Sequence, residues 1–270
     1  MNTPTVTGKG HEASPRVHPT AIVDPVAVLG DGVRIGPYSI IGPNVVLGAN
    51  TWVGPHVLIQ QDTEVGPDCV IANGAVLGTD PQDLKYEGEE TKLIVGADTT
   101  IREYATLNRG TRAAGKTVVG NSCLLMAYSH IAHDCFIGNH VVISNAVQMG
   151  GHVVIEDSAT IGGIVAIHQF VRIGTHAFIG GGSRVPKDVA PYTRAAGSNL
   201  KLYGLNTVGL ERRGIKEEAR SQLKQAYRLL FGSDYNISQG LAAVHAQGPW
   251  CAEVERLMEF IESSERGVTV

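Results

Sequence analysis

An aliphatic residue recurs at every sixth position over most of the chain, from about Val17 to Val185. The residue after it is often glycine, and the residue two before it is small or β-branched. A six-residue period is typical of a solenoid, because each short strand buries its apolar side against the strand one coil away. Three hexads make one triangular coil of roughly 18 residues, which predicts a parallel β-helix. The aliphatic positions include Leu29, Ile35, Ile41, Leu47, Val53, Ile59, Val65, Ile71, Leu77, Val95, Ile101 and Leu107, followed by every sixth residue from Val119 to Val185.

The composition argues against a nucleic-acid-binding, membrane-spanning or secreted protein. The chain has 270 residues, which suits one or two domains, and a formal net charge of −4 at pH 7. Since no basic block with interleaved aromatic residues is present, we expect no nucleic-acid partner. No apolar run is long enough for a membrane span, and the first 16 residues lack the apolar segment of a signal peptide. The four cysteines have no CxxC spacing, so we expect a cytoplasmic protein with small, buried thiols.

The pattern divides the chain into three parts. Residues 1–16 are predicted to be an N-terminal tail, residues 17–190 a parallel β-helix, and residues 191–270 a linker and a C-terminal helical domain. Two polar interruptions, near 79–93 and at 109–116, are predicted to be loops that project from the solenoid. The first loop keeps the phase of the repeat, so it either replaces a coil or is added to one.

The period changes to 3.6 residues in the C-terminal part, which predicts helices. Ser238 is the expected N-cap of a short helix that ends near Val244. The apolar faces of the two helices on either side of it comprise Ile215, Ala219, Leu223, Ala226, Tyr227 and Leu230, and then Val254, Leu257, Met258 and Ile261.

The densest cluster of histidines lies in the segment 128–135, which reads YSHIAHDC. His133 lies outside the inward positions and near a corner, and Asp134 beside it could orient the ring or stabilise its protonated form. His152 follows one coil after Asp134 and is expected to lie near it. We interpret His133 as a general base. His130 and His133 could also be zinc ligands, but residues three apart lie on opposite faces of a strand, so we predict neither a metal nor a cofactor. Three other histidines share one position of the hexad and are predicted to face solvent, namely His56, His140 and His176.

Six strings of residues occur in one order along the chain. They are QDLKY at 82–86, RGT at 109–111, HIAHD at 130–134, GGH at 150–152, IGGIVAIHQF at 161–170 and GLERRG at 209–214. Together they strongly resemble the UDP-N-acetylglucosamine O-acyltransferases of lipid A biosynthesis, over nearly the whole chain from about Val17. The resemblance implies left-handed coils and a homotrimer with active sites between subunits. It also implies transfer of a 3-hydroxyacyl chain from acyl carrier protein to the 3-hydroxyl of UDP-N-acetylglucosamine, the first step of lipid A biosynthesis.

The resemblance assigns roles to individual residues. His133 is the expected general base, Asp134 orients it, and the Gly151 N–H stabilises the thioester oxygen in the transition state. The family position equivalent to Gly181 helps to set the length of the acyl chain, and a glycine there is expected to leave the acyl groove open to a longer chain, whereas Met149 could instead shorten it. The expected substrate contacts are Asp83, Lys85, His130, His152, His168 and Gln169, with Asn206, Arg212 and Arg213 at the nucleotide-diphosphate end.

A basic stripe in the helical domain is the candidate docking surface for acyl carrier protein, which is acidic; a solvated helix face is the alternative reading. The stripe comprises Arg220, Lys224 and Arg228. Asn108, Leu200 and Val208 depart from familiar members of the family. We expect these departures to bear on fine specificity, namely the acyl chain length or whether the sugar position bears oxygen or nitrogen. The runner-up functions are the related N-acyltransferase, which has an extra N-terminal domain, a trimeric zinc hydratase with hexads, and a non-enzymatic scaffold.

Overall fold

The computed structural model describes residues 16–232 and 234–270, so the predicted tail at 1–16 lies outside the described residues except for Arg16. The described chain forms a long series of short strands and then four helices. The strands are β1 (Arg16–Val17), β2 (Ile22–Val23), β3 (Val28–Leu29), β4 (Arg34–Ile35), β5 (Ile40–Ile41), β6 (Val46–Leu47), β7 (Trp52–Val53), β8 (Leu58–Ile59), β9 (Thr63–Val65), β10 (Val70–Ile71), β11 (Val76–Thr79), β12 (Lys92–Val95), β13 (Thr100–Ile101), β14 (Thr106–Asn108), β15 (Lys116–Val119), β16 (Leu124–Leu125), β17 (His130–Ile131), β18 (Phe136–Ile137), β19 (Val142–Ile143), β20 (Gln148–Met149), β21 (Val154–Ile155), β22 (Thr160–Ile161), β23 (Ala166–Ile167), β24 (Arg172–Ile173), β25 (Phe178–Ile179), β26 (Arg184–Val185), β27 (Thr193–Ala196) and β28 (Lys201–Leu205).

Three sheets form the faces of a triangular prism, and successive strands from β1 to β26 occupy successive faces. Face 1 has the order β1-β4-β7-β10-β13-β16-β19-β22-β25-β27-β28, face 2 the order β2-β5-β8-β11-β14-β17-β20-β23-β26, and face 3 the order β3-β6-β9-β12-β15-β18-β21-β24. Strands pair in parallel with the strand one coil later, as Val17 does with Ile35, and β28 is added antiparallel to β27. We name each edge of the prism by the faces it joins: edge 1–2, edge 2–3 and edge 3–1.

The interior of the prism is filled by the two inward registers of the hexad. Val33 and Ile35 illustrate the pair, at 0% and 3% exposed, and the same pattern continues through the whole cluster of buried residues. Thr51 shows how a polar residue is accommodated at an inward position: its hydroxyl donates to Gly66 O at 2.9 Å and accepts from Cys69 N at 3.2 Å. A buried hydroxyl is tolerated there because both of its bonding roles are satisfied.

The glycine that follows the aliphatic residue is required by the neighbouring coil. A Cβ atom on Gly48 would lie 2.3 Å from the backbone nitrogen of Pro67, one coil later. The corners themselves often hold a residue with positive φ, such as Asn44 at 56° and Asp134 at 58°, which asparagine and aspartate adopt more readily than most residues. The hexad therefore encodes both the apolar interior and the tight turns.

Two loops project from edge 2–3. The projecting loop, residues 80–91, joins β11 to β12, and the second loop, residues 109–115, joins β14 to β15. Across the first loop Val65 pairs with Val95, and across the second Val95 pairs with Val119, so each strand returns to its own face. The question left open by the repeat is thereby answered: the polar residues are added to a coil and bulge outward from it.

The helices are α1 (Thr207–Arg212), α2 (Glu217–Phe231), α3 (Ile237–Ala246) and α4 (Ala252–Glu262). The predicted face of α2 is buried at Leu223, Ala226 and Leu230, although Ile215 precedes the helix. The predicted face of α4 is buried as well. In the described chain, no helix combines the length and apolarity that a membrane crossing requires.

The C-terminal part differs from the sequence-based prediction in two places. The segment predicted as a linker contains β27 and β28, which extend face 1 beyond the last hexad. The predicted cap of α3 was wrong: the helix is capped by Asn236, whose side chain accepts from Gln239 N while the Gln239 side chain accepts from Asn236 N. This reciprocal pair satisfies two helix-end donors and begins the helix before Ser238.

Candidate active site

His133 and Asp134 form a hydrogen-bonded pair at edge 2–3, in the corner between β17 and β18. Nδ1 of His133 lies 2.8 Å from Oδ2 of Asp134. The Asp134 side chain is 0% exposed, whereas that of His133 is 12% exposed. Because an ionised carboxylate only accepts, Nδ1–H is the donor and Nε2 is left as a free acceptor. The pair therefore has the arrangement of a general base with its orienting carboxylate.

Asp134 is held by the second loop. The backbone N–H of Thr111 donates to Oδ1 at 2.8 Å, and the Thr111 hydroxyl donates to Oδ2 at 2.7 Å. Burial alone would raise the pKa of Asp134, but the hydrogen bonds from His133 and Thr111 outweigh burial, so its pKa lies below the ordinary value. The carboxylate is consequently ionised at neutral pH in spite of its burial.

Gly151 lies against the His133 ring. A Cβ atom on Gly151 would lie 2.5 Å from Cε1 and 2.6 Å from Nε2 of His133, so any side chain there would displace the ring. Among the described residues, none accepts a hydrogen bond from the Gly151 N–H. A free backbone donor beside a free imidazole nitrogen can serve an oxyanion that forms next to the base.

Further aromatic side chains flank the pair on the same edge. His152, one coil above, places Nε2 3.6 Å from Oδ2 of Asp134 and stacks on Phe170 at 4.5 Å between ring centroids. His130 precedes the corner, and its Nδ1 lies 2.7 Å from the hydroxyl of Thr106. Burial, and then the nearby charge of His133, hold the pKa of His130 below its ordinary value, so this ring is neutral at physiological pH. The edge thus carries imidazole groups suited to hydrogen-bonding hydroxyls.

His168 and Gln169 continue the same edge and are exposed. The guanidinium of Arg266, from the C-terminal segment, donates to Nδ1 of His168 at 2.9 Å and to Pro186 O at 2.8 Å. Arg266 was not predicted, and no repeat position points to it, because it reaches the edge from a segment outside the prism.

Asp83 and Lys85 lie on the projecting loop, which leaves the prism at edge 2–3. Oδ1 of Asp83 accepts from the Lys85 N–H at 3.0 Å, which fixes a turn and leaves the ammonium of Lys85 exposed. The base of this loop is anchored by Arg109, which is 2% exposed and donates to Gly78 O at 2.9 Å. The structure therefore brings both predicted loop residues to the edge that carries His133.

Asn206, Arg212 and Arg213 line a different cavity, of about 390 Å³, at edge 3–1. Asn206 caps α1 by accepting from Gly209 N, and its Nδ2 donates to His176 O at 3.0 Å. His176 was predicted to face solvent but is half-buried in this cavity, where burial and then the charge of Arg213 lower its pKa. The repeat pattern missed His176 because α1 covers a corner that is otherwise open. The rest of the lining includes the polar residues Ser158, Thr160 and Arg194 and the ring of Phe178.

The predicted site residues therefore divide between two edges of one chain. His133, its flanking histidines and the loops lie at edge 2–3, whereas the arginine pair lies at edge 3–1. The two groups thus lie on the two edges that border face 3.

His133, Asp134 and His152 are close enough to bridge a cation, with candidate ligand atoms within 4.8 Å of one another. However, Oδ2 of Asp134 already accepts from Thr111 and from His133. The hydrogen bonds therefore arrange His133 as a base and Asp134 as the carboxylate that orients it. A metal ion bound to Oδ2 would have to replace these bonds.

Comparison with known proteins decides the family. Residues 188–269 match the model described as UDP-N-acetylglucosamine O-acyltransferase, domain 2, and residues 14–49, 44–79 and 116–151 match bacterial transferase hexapeptide repeats. A relative from Alkalilimnicola ehrlichii, named acyl-(acyl-carrier-protein)–UDP-N-acetylglucosamine O-acyltransferase, is 49% identical over 94% of this chain and 98% of its own. A relative of the same name from Syntrophobacter fumaroxidans is 49% identical over 94% and 99%. The chain belongs to the UDP-N-acetylglucosamine O-acyltransferase family.

Solved structures of the family share the whole fold. The UDP-N-acetylglucosamine acyltransferase of Bacteroides fragilis has a TM-score of 0.92 at 40% identity, covering 94% of this chain and 99% of that one. The Francisella novicida enzyme has a TM-score of 0.91 at 36% identity, covering 94% and 93%. The fold is accordingly a left-handed parallel β-helix with a helical C-terminal domain, as the sequence resemblance implied.

The two residues predicted to set acyl chain length have different surroundings in this member of the O-acyltransferase family. Met149 is 4% exposed and packs inside the prism, because it occupies the aliphatic inward register. It does not line an external groove, so the prediction for Met149 was wrong. Gly181 is exposed at edge 1–2, where a Cβ atom would meet only backbone atoms of Gly163 within 4 Å. Its role in chain length stays a prediction.

Proposed function

We propose that the protein transfers a 3-hydroxyacyl chain from acyl carrier protein to the 3-hydroxyl of UDP-N-acetylglucosamine, the first step of lipid A biosynthesis. The observation that carries this proposal is the His133–Asp134 pair beside the free Gly151 N–H, on a chain whose relatives carry that enzyme name. A hydroxyl nucleophile needs a base within hydrogen-bond reach, and a thioester carbonyl needs a donor as it becomes an oxyanion. We place the enzyme in the cytoplasm, in keeping with its free cysteines.

The chemistry proceeds in two steps. Nε2 of His133 removes the proton from the sugar 3-hydroxyl while the oxygen attacks the thioester carbon, and Asp134 stabilises the imidazolium through Nδ1–H. The oxyanion accepts from the Gly151 N–H. The tetrahedral intermediate then collapses: the C–S bond breaks, the ester forms, and the imidazolium returns its proton to the thiolate of the carrier. The hydrogen-bonding groups of His130, His152, His168 and Gln169 are available to the sugar and the acyl hydroxyl.

The complete site requires a homotrimer in this proposal. Edge 1–2 carries exposed aromatic residues stacked along its length: the rings of Tyr38 and His56 lie 5.1 Å apart, and those of Tyr104 and Tyr128 lie 5.3 Å apart. Three prisms packed side by side with edge 1–2 toward the symmetry axis would cover these rings. The same packing sets edge 2–3 of one protomer against edge 3–1 of the next. His133 then shares a cleft with the arginine pair of its neighbour, which supplies the cations for the diphosphate.

Acyl carrier protein is proposed to dock on the basic stripe of α2. The stripe borders a cavity of about 560 Å³, with Lys224 and Arg228 exposed and Arg220 half-buried, 3.8 Å from Glu211. A basic surface steers an acidic partner and loses this effect at high salt.

The proposed function is tested by incubating the purified protein with 3-hydroxyacyl carrier protein and UDP-N-acetylglucosamine, over a range of chain lengths. We expect an acylated sugar nucleotide and a free carrier thiol, and loss of both with His133→Ala. Transfer only to the 3-amino sugar would favour the N-acylating alternative. Absence of transfer to either acceptor would overturn the proposal, and metal analysis would then test the hydratase alternative.

A further inference from the structure

The second loop makes contacts that the proposed mechanism does not use. Thr111 is 5% exposed, so its side chain reaches neither solvent nor an open cleft. Both of its donors point at one carboxylate: the N–H to Oδ1 of Asp134 and the hydroxyl to Oδ2. The hydroxyl also accepts from Ala113 N at 3.2 Å, so both its donating and accepting roles are filled. Asp134 is gripped at both oxygens by a single residue.

The same loop is tied to the projecting loop. The hydroxyl of Thr91 donates to Gly110 O at 2.6 Å, and Gly110 N donates to Lys92 O at 3.2 Å. Arg109 reaches beneath the projecting loop, where its guanidinium lies 3.8 Å from the carboxylate of Asp80. A continuous set of contacts therefore runs from the base of the projecting loop, through the second loop, to Asp134 and His133.

We propose that Thr111 is a positioning residue for the transfer reaction, which fixes the carboxylate of Asp134 in the plane where it holds the ring of His133. The proposal rests on the proposed transferase function. Thr111 contacts no reacting atom and acts through Asp134. Without the Thr111 hydroxyl, Oδ2 keeps only the bond from His133 itself, and Oδ1 keeps the backbone donor of Thr111. Rotation about the Asp134 side chain can then move Oδ2 together with the imidazole. A displacement of a catalytic group by about 1 Å can lower the rate of the chemical step by about 100-fold.

The alternative is that Thr111 merely stabilises the fold, as other buried hydroxyls in the prism do. Thr51 provides the matched comparison, because its buried hydroxyl also donates to a carbonyl and accepts from a backbone N–H. Thr51 lies on an earlier coil, outside both loops and the predicted site residues. A structural role predicts the same behaviour for both threonines, whereas a positioning role separates them.

The experiment compares Thr111→Val, Thr111→Ser and Thr51→Val in the intact oligomer, with steady-state kinetics and thermal unfolding. For Thr111→Val we expect kcat to fall by about 10- to 100-fold, with KM for the sugar nucleotide changed by less than about twofold. Thr111→Ser restores the hydroxyl and is expected to recover most of kcat. Thr51→Val is expected to lower the unfolding temperature while its kcat stays at the wild-type value.

Two results would overturn the assignment: a folded Thr111→Val enzyme with wild-type kcat, or a loss of kcat that Thr111→Ser does not repair. Failure of the wild-type protein to transfer an acyl chain contradicts the proposed function itself. A wild-type enzyme that is active beside an equally active Thr111→Val variant contradicts only the positioning role.

Discussion

The division of the candidate site between two edges leads to a test by subunit mixing. His133→Ala removes the base at edge 2–3 and leaves the arginine pair intact. The double variant Arg212→Ala, Arg213→Ala removes the cations at edge 3–1 and leaves the base intact. Each variant alone is expected to be nearly inactive. If each site joins edge 2–3 of one protomer to edge 3–1 of the next, a mixed trimer contains some sites with both wild-type edges.

The magnitude follows from the cyclic arrangement. In a ring assembled at random from equal amounts of the two variants, a site is complete when one protomer keeps His133 and the next keeps the arginine pair. Each condition holds for half of the protomers, so about a quarter of the sites are complete. Co-expression with two affinity tags and sequential purification yields mixed trimers. Each trimer that retains both tags has one complete site among its three, because the unmixed and inactive trimers are removed, so its rate of thiol release should be about a third of the wild-type rate.

A matched control uses two variants of the same edge, His133→Ala and Asp134→Asn. Both changes fall in one half of the site, so no mixed trimer contains a site with an intact pair, and no recovery is expected beyond that of Asp134→Asn alone. Recovery in this control, or none in the first mixture although both tags are retained, would refute a site shared between neighbouring protomers.

Four further outcomes follow from the structure. Asp134→Asn is expected to lower kcat by about 10²- to 10⁴-fold, because the amide supports His133 in the wrong tautomer; an unchanged kcat would contradict the pairing. The pKa of Asp134 is depressed in the folded protein, so its contribution to stability is present above its ordinary pKa of 3.8 and is lost as the pH falls further; wild type and Asp134→Asn should therefore converge in unfolding temperature at low pH. Gly151→Ala should reduce kcat about 100-fold without unfolding the prism, since the added methyl would lie 2.5 Å from Cε1 of His133. Leu223→Ala should destabilise the helical domain by about 2–5 kcal/mol in denaturant titrations, because Leu223 is fully buried; a change below about 1 kcal/mol would contradict its place in the core.

The prism was predictable because its period appears directly in the order of residues. Val53 and Ile71 both point into the prism because each occupies the aliphatic position of its hexad, and this position recurs every six residues. The face of α4 was predictable on the same principle at a period of 3.6 residues. β27 and β28 were not predicted, since they extend face 1 without a hexad: their pairing depends on an edge that the last coil leaves open.

The site was predictable in part. The string HIAHD led to the prediction that Asp134 orients the ring of His133, and the two side chains are within hydrogen-bond distance, at 2.8 Å. Thr111 and Arg266 came from segments whose approach to edge 2–3 depends on tertiary packing, so no spacing in the sequence indicated their contacts. Met149 shows the opposite error: it was expected to shorten the acyl groove, although its own hexad register already placed it inside the prism.

The two loops have a consequence for how this chain tolerates change in length. Residues added at edge 2–3 bulge outward, so β12 and β15 regain their faces and the direction of every later side chain is conserved. Residues inserted into the strands and corners of the prism would instead rotate all later residues about the prism axis. Six extra residues between Val119 and His130 would turn the later prism by a third of a revolution and carry His133 away from Thr111. A full extra coil would only raise it by about 4.8 Å. Within the prism, the number of residues between two positions determines the angle between their side chains around the prism axis. Only residues in the outward loops can be added without changing that angle.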